Sequence, residues 1–334
     1  MSVSEVDAAL TDMMAAVFAE HSGDTDLWDR LDALGLVRLT GSEASGGSGA
    51  GWPEAAELLS AAVRHTARIP LAEHDLLACW LLDAVGVAVD SRPRTVALLD
   101  GHGRATAVPW ASNAQRIVAV WADDDGYRVA DVDSADVSIT AGANMIGEPR
   151  DTVDVDTATH SGVAVSGDLI DTLRLKGALV RAVQICAALD SALESSVEHA
   201  TTRMQFGRPL AKFQAVQHLI SDIACEAALA RSATEAALSV ASATDWTAPH
   251  LEFLVAAARS CAGHATSVVV RNAHQVHGAI GTTIEHRLHH HTRAALAWRS
   301  EFGSTRHWDD RLTDMALAAA KHAGPQGLWP LISP

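Results

Sequence analysis

The feature that most constrains the fold is a long helical pattern in the second half of the chain. From about Asp168 onward, apolar residues recur at helical spacing in four or five long segments. Abundant alanine favours helices that pack closely on one another. The second half is therefore predicted to be a helical bundle. We expect its helices at roughly 168–203, 209–243, 249–275, from 283 onward and 306–323.

In the first half of the chain, the predicted secondary structure changes from helix to strand at about residue 94. Before that point the pattern is mostly helical, with helices expected near 26–34, from Trp52 onward and over 73–85. Between 94 and 167, short β-favouring runs alternate with turn residues, which predicts a small antiparallel unit.

The predicted fold is therefore α+β in series. We expect an N-terminal helical domain over 1–93, a middle β domain over 94–167 and a C-terminal helical bundle over 168–334.

Composition and charge argue against several classes of partner. The net charge of −16 disfavours nucleic acid and anionic membranes, because both require a basic face. The N-terminus does not resemble a signal peptide, and we expect no membrane span. The cysteines form no CxxC pair, so reduced thiols in a cytoplasmic protein are expected. They are Cys79, Cys186, Cys225 and Cys261.

The segment from Arg203 to Gln217, which joins two of the long helices, has the residues of a ligand-binding turn. Gly207 permits a tight reversal, and Pro209 is expected in the first turn of the next helix. Arg203 and Arg208 put positive charge beside that helix N-terminus, which already favours an anion.

Aromatic rings and amides occur in the same segment. Phe206 and Phe213 offer flat apolar surface, and Gln205, Gln214 and Gln217 offer amides. Any one of these residues could belong to an ordinary capped connection between helices. Together they suit a ligand that carries both a phosphate and an aromatic ring.

This string resembles the acyl-CoA dehydrogenase family, whose members carry an Arg-x-x-Phe-Gly-x-x-Leu-x-x-x-Gln pattern here. A second family-like string is Gln275-Val-His-Gly-Ala-Ile-Gly, followed by Glu285, Leu288 and Arg293. The resemblance implies that the first string contacts the adenosine and pyrophosphate of FAD. It implies that the second reaches a FAD in a partner subunit. The cofactor-binding residues so implied are Arg203, Gln205, Phe206, Leu210, Phe213, Gln214, Gln275, Gly278 and Ala279.

The β unit carries a weaker likeness. The run from Gly103 to Ala111 resembles the family strand that packs against the flavin ring. On that alignment Val108, Pro109 and Trp110 lie near the isoalloxazine. The family has a glycine where Ala279 stands.

The resemblance also implies an activity. It is the FAD-dependent α,β-dehydrogenation of an acyl-CoA thioester to a 2-enoyl-CoA, with electrons passed to an electron-transfer flavoprotein. A homo- or hetero-oligomer, as a dimer or tetramer, is expected because the family's flavin lies at a subunit contact. Another possibility is that the protein has the same fold but uses reduced flavin for chemistry with oxygen.

The catalytic base of the family is a glutamate at one of two places. At the first, the chain reads Ser300-Glu301-Phe302-Gly303, so Phe302 aligns with the glutamate and Glu301 lies one residue earlier. At the second, the aligned residue is Gly177. Either Glu301 is the base, or the chain is a non-catalytic subunit that completes the FAD site and interface of a catalytic partner. Asp171 and Asp190 are weaker substitutes.

Histidines cluster between His286 and His291, and His286 and His290 stand one helical turn apart. A zinc site is conceivable there, but a solvated or subunit-facing helix is the simpler interpretation, and we expect no metal.

Overall fold

A computed structural model describes residues 6–332, apart from the side chains of Pro325 and Leu328. Helices occupy both ends of the described chain, and the strands lie mainly between them, which confirms the predicted fold class. The α-helices are α1 Ala8–His21, α2 Leu27–Ala33, α3 Trp52–Arg64, α4 Trp80–Ala84, α5 Gly167–Thr202, α6 Gln214–Ala243, α7 Leu251–His277, α8 Leu288–Trp298, α9 Thr305–Ala323 and α10 Trp329–Ile332. The strands are β1 Arg94–Leu98, β2 Arg104–Pro109, β3 Arg116–Asp123, β4 Gly126–Asp133, β5 Ser138–Thr140, β6 Arg150–Asp154, β7 Val163–Val165, β8 Met204–Gln205 and β9 Arg208–Pro209.

The chain divides into two compact units. The N-terminal unit contains residues 6–59 and 67–177, and the C-terminal unit contains residues 60–66 and the chain from Ala178 onward. The division falls inside α3 and inside α5, at places where the sequence shows no break. The three predicted domains remain a description of the sequence pattern.

The β region of the N-terminal unit consists of two small sheets. Their strand orders are β1-β3-β4-β7 and β2-β6-β5. β1 pairs with β3 in parallel, whereas the other pairings in these sheets are antiparallel. The parallel pair arises because β2, which separates β1 from β3 in the chain, joins the second sheet. A cluster of small and β-branched side chains forms the core here, including Ala97, Ile117, Ala119 and Val153.

The C-terminal unit is an alanine-rich bundle in which α7 packs against α6 and α9. Buried alanines recur along α7, which allows neighbouring helices to approach closely. At Gly263 the approach is tight, because an added Cβ would lie 2.2 Å from Oγ1 of Thr305 in α9. The bundle therefore depends on a small residue at this crossing.

The helical stretch Leu251–Thr282, which consists of α7 and the 3₁₀ turn after it, is also long and apolar enough to cross a membrane. Half of its most apolar window is buried inside the structure, and a core helix passes the same test of length and composition. This feature alone is weak evidence for a membrane span.

One predicted helix takes a different form. The sequence predicts a regular helix over 73–85, but residues Ala72–Cys79 form a π-helix that continues into α4. Every residue of the π-helix is buried, including Glu73, His74 and Asp75. Three consecutive buried polar residues interrupt the apolar spacing that would predict a regular helix here. π-helical turns occur mostly as short local bulges inside α-helices.

Candidate functional site

The segment after α5 forms a β-hairpin of two short strands, β8 and β9. Phe206 and Gly207 occupy its turn with φ of 51° and 76°, the left-handed conformations that a two-residue type I′ turn requires. Glycine adopts such a conformation without strain, whereas phenylalanine does so rarely. The left-handed conformation of Phe206 therefore has a conformational cost. Strain of this kind is typical of residues with a functional role.

The hairpin gathers the predicted aromatic and basic side chains. The Phe206 ring is 90% exposed, and its centroid lies 6.1 Å from that of Phe213 in an edge-to-face arrangement. The guanidinium of Arg208 lies 4.2 Å from the centroid of Phe213. Arg203 and Gln205 are exposed beside them. The structure thus brings together flat apolar surface and positive charge on one exposed hairpin.

The helix that follows the hairpin begins later than the sequence predicts. Pro209 lies in β9 rather than in the first turn of α6, so that expectation was wrong. Because Pro209 leads into the 3₁₀ turn Leu210–Lys212, α6 starts only at Gln214. Among the described residues, no side chain caps the N-terminus of α6. Its first amides remain suited to an anion, as expected for the helix start.

The second string lies at the end of α7. Gly278 ends the helix with φ of 64° and ψ of −142°, a conformation suited to glycine, and Gln275, Gly278 and Ala279 are exposed. Gly281 is buried in the 3₁₀ turn that follows, where an added Cβ would lie 2.8 Å from Cβ of His277. The exposed residues therefore surround a tightly packed turn.

A ring stack brings the two strings side by side. His199 lies one turn before Arg203, and His277 lies two residues after Gln275. Their imidazole centroids are 4.5 Å apart with an interplanar angle of 25°. The predicted cofactor residues of the C-terminal unit thus come from two neighbouring places on one unit.

Trp110 belongs to the N-terminal unit. It follows β2 with φ of 60° and is half-buried, and its amide donates a hydrogen bond to the carbonyl of Pro149. The buried carboxylate of Asp151 accepts hydrogen bonds from the amides of Ser112 and Gly142 at 2.7 and 3.0 Å. These bonds fix the turn that presents the indole.

Glu301 lies in the loop between α8 and α9 and is joined to a buried arginine. Nε of Arg181 in α5 donates to Oε2 of Glu301 over 2.7 Å, with the two side chains 2% and 17% exposed. The guanidinium of Arg181 also lies 5.6 Å from the centroid of Phe302. The carboxylate is therefore part of an internal ion pair.

A second buried arginine fixes the backbone of the same loop. Nη2 of Arg259 in α7 donates to the carbonyl oxygens of Arg299, Glu301 and Gly303 at 3.1, 2.8 and 3.0 Å. Burial lowers the pKa of Arg259 to about 10, and the positive charge of Arg181 acts in the same direction. Arg181 thus holds the side chain of Glu301, and Arg259 holds the backbone of the loop. Within this loop Phe302 has a φ of 52°.

Position 177, the alternative place for a base, is preceded by a buried lysine. Lys176 is 1% exposed, and its Nζ lies 4.9 Å from the ring centroid of Trp52 and 4.3 Å from that of Trp80. Both distances are within the range of cation–π attraction.

Three buried cations of the site region, Lys176, Arg181 and Arg259, were not predicted from the sequence. Their only signal was a cation inside an otherwise apolar helical run, and such residues are almost never fully buried unless paired.

Part of the chain is similar to a known protein family. Residues 171–307 match the family model described as the C-terminal domain of acyl-CoA dehydrogenase. The acyl-CoA dehydrogenase IpdE2 of Mycolicibacterium smegmatis is 27% identical over 289 residues, covering 82% of each chain. FadE34 of Mycobacterium tuberculosis, also an acyl-CoA dehydrogenase, is 32% identical over 157 residues. That match covers 47% of this chain but only 21% of FadE34.

The fold is shared with a solved complex. A chain in the crystal structure of the ChsE4-ChsE5 complex from Mycobacterium tuberculosis superposes with a TM-score of 0.83 and 22% identity, covering 95% of this chain and 98% of that one.

Proposed function

We propose, since the chain belongs to the acyl-CoA dehydrogenase family, that it takes part in the FAD-dependent α,β-dehydrogenation of acyl-CoA thioesters as one subunit of a mixed oligomer. We further propose that the catalytic base comes from the partner chain rather than from this one. The electron acceptor would be an electron-transfer flavoprotein, and the setting cytoplasmic.

The observation that carries this proposal is the ion pair of Glu301. A general base must approach the proton that it removes, and its reactivity depends on a free carboxylate. Here Glu301 accepts a hydrogen bond from a guanidinium that is itself almost fully buried. Moving the carboxylate to a substrate would leave the Arg181 charge buried without it, which is costly.

The other family position for a base supports the same conclusion. Gly177 has no side chain with which to move a proton. Its neighbour Lys176 packs against two tryptophan rings within the N-terminal unit. Neither position therefore provides an unengaged carboxylate.

The exposed hairpin fits the cofactor that the family uses. FAD, when bound, supplies the hydride acceptor for the β-hydrogen of the thioester. Arg203, Arg208 and the uncapped N-terminus of α6 would offset the charge of its pyrophosphate. Phe206 and Phe213 would pack against its adenine ring. Covering Phe206 would also remove a 90% exposed aromatic ring from water.

The arrangement of the two strings refines the expectation from the sequence. Because His199 stacks on His277, the hairpin and the α7 turn are neighbours on one unit. We therefore propose that Gln275, Gly278 and Ala279 serve the same FAD as the hairpin, rather than separate FAD molecules. A mixed oligomer is supported by the fold shared with a complex whose name joins two chains, ChsE4 and ChsE5.

The test is turnover by this chain co-purified with a catalytic partner. Glu301→Gln keeps the shape of the side chain and an oxygen that can accept from Arg181. Acyl-CoA turnover should then stay within about twofold of wild type, with unchanged flavin content. Loss of a general base lowers rates by about 10² to 10⁴. A drop of that size at full flavin content would show that Glu301 is the base and would reject the proposal.

A further inference from the structure

Three histidines from three different segments of the C-terminal unit meet at one point. His199 is near the end of α5, His277 is the last residue of α7, and His286 lies just before α8. One ring nitrogen from each lies within 4.8 Å of the others. His199 and His277 are stacked, and the His286 ring lies edge-on to both. The centroid of His286 is 4.8 Å from that of His277 and 6.3 Å from that of His199.

The central histidine has a defined tautomer. Nδ1 of His277 lies 2.8 Å from the carbonyl oxygen of Ala273, so Nδ1 carries the proton and donates it. Nε2 therefore holds a lone pair. His277 is 5% exposed, and among the described residues Nε2 has no hydrogen-bond partner. A buried acceptor without a donor is unfavourable, and a cation would satisfy it.

Two of the three imidazoles, those of His199 and His277, favour the neutral form. Burial lowers the pKa of His277 to about 4, against a backbone hydrogen bond that raises it. Burial likewise lowers the pKa of His199 from its ordinary value, with the nearby His286 and Arg203 acting in the same direction. Neutral imidazoles are ligands, whereas protonated ones are not.

We propose that His199, His277 and His286 form a binding site for a divalent transition-metal cation of the zinc type, with three imidazole nitrogens and an open fourth position. The hydrogen bond from Nδ1 of His277 to Ala273 resembles the outer contacts that orient metal-ligating histidines. This proposal concerns only the C-terminal unit and does not depend on the proposed function.

Metal binding requires a modest adjustment. Two nitrogens bound to zinc at about 2.1 Å and a tetrahedral angle lie about 3.4 Å apart. The three candidate nitrogens now lie within 4.8 Å of one another, so the distances between them must shorten when a metal binds. Because His199 and His286 are partly exposed, we expect their rings to rotate while the buried His277 stays in place. His286 now accepts a hydrogen bond at Nδ1 from the Leu288 amide, and ligation through that atom would replace it.

The charges nearby set the expected affinity. Arg203 is close enough to lower the pKa of His199, and the same charge opposes a dication. The ligand set is neutral, without a carboxylate or thiolate. We therefore expect weaker binding than at a site of the same geometry that includes a carboxylate or thiolate ligand.

The experiment uses full-length protein without a histidine tag, stripped of metal with EDTA and titrated with Zn²⁺ and with Co²⁺. Calorimetry with Zn²⁺ should give one equivalent per chain. Co²⁺ should develop the visible d–d bands of a four-coordinate site. Zn²⁺ should also raise the thermal midpoint, because it binds the folded state.

The variants locate the site. His199→Ala and His286→Ala change partly exposed residues and should each weaken Zn²⁺ binding at least about tenfold, or about 1.4 kcal/mol. His290→Ala is the matched control, because its ring packs on His289 instead, and it should bind as wild type does. Circular dichroism confirms that each variant is folded.

Two results would overturn the proposal. One is the absence of both the Zn²⁺ heat and the Co²⁺ bands in folded wild-type protein. The other is binding that His290→Ala abolishes and His286→Ala leaves intact, which would place the metal on the neighbouring histidine run.

Discussion

Nε of Arg181 donates a hydrogen bond to the carboxylate of Glu301 over 2.7 Å, joining the middle of α5 to the loop between α8 and α9. Arg259 fixes the backbone of that loop through three carbonyl oxygens. The two buried arginines give Glu301 a structural role, whatever its part in catalysis.

Removing the carboxylate should destabilise the C-terminal unit. Glu301→Ala leaves Arg181, whose side chain is 2% exposed, without its anion, and we expect the free energy of unfolding to fall by about 3 kcal/mol. Urea denaturation measures this. Asp310→Ala is the control, since it breaks a pair with Arg306 whose side chains are 69% and 90% exposed. That loss should stay within about 0.5 kcal/mol. Equal losses in the two variants would contradict the buried role of Glu301.

Asp75 should make stability fall as pH rises. Burial raises its folded pKa from 3.8 to about 6, so its contribution is complete below 3.8 and is lost as pH rises through about 6. Asp75→Asn should therefore gain stability relative to wild type over that window. Denaturant unfolding at several pH values gives the difference.

His74 provides the opposite slope as a control. Burial lowers its folded pKa from 6.5 to about 3, so its contribution is present above 6.5 and is lost as pH falls towards 3. His74→Gln should thus lose stability relative to wild type as pH rises. Slopes of the same sign in the two variants would contradict this account of the buried π-helix.

The ring of Phe206 should matter for flavin but not for folding. Asparagine with glycine is the preferred pair for a type I′ turn, so Phe206→Asn should leave the hairpin at least as stable. It should lower the flavin-to-protein ratio of the purified oligomer several-fold, because the ring is lost. Leu317→Asn, at a 54% exposed position on α9, should keep the flavin. A Phe206→Asn protein with full flavin would reject the predicted contact.

The crossing of α7 and α9 should not tolerate a larger residue at Gly263. Alanine is the better helix former, but its Cβ would lie 2.2 Å from Oγ1 of Thr305. We expect Gly263→Ala to cost about 2 kcal/mol in thermal or urea unfolding. Thr305→Ala in the same chain should restore most of that loss, whereas Thr305→Ser, which keeps the oxygen, should restore less. An unaffected Gly263→Ala protein would contradict the close approach.

Much of the fold could be predicted because apolar periodicity marks long helices well. The expected segments near 168–203, 249–275 and 306–323 correspond to α5, α7 and α9. Start signals were less reliable: Pro209 suits a first helical turn, yet local pairing of β8 with β9 places it in a strand.

Contacts distant in sequence could not be predicted. Arg181 and Glu301 are separated by 120 positions, and a lone cation in an apolar helix does not identify its anion. The meeting of His199 with His277 and His286 likewise depends on how α5, α7 and α8 pack. The hairpin residues could be identified because they follow one another in the chain, so that their residue types form a recognisable motif.

The most direct test of the central claim is the visible absorbance spectrum of this chain purified with its catalytic partner, before and after anaerobic addition of acyl-CoA. We predict a bound flavin that bleaches with the thioester. We also predict that Arg203→Ala in this chain removes most of the flavin. A folded, stable complex that never contains flavin, or that keeps all of it in the Arg203→Ala variant, would contradict the account.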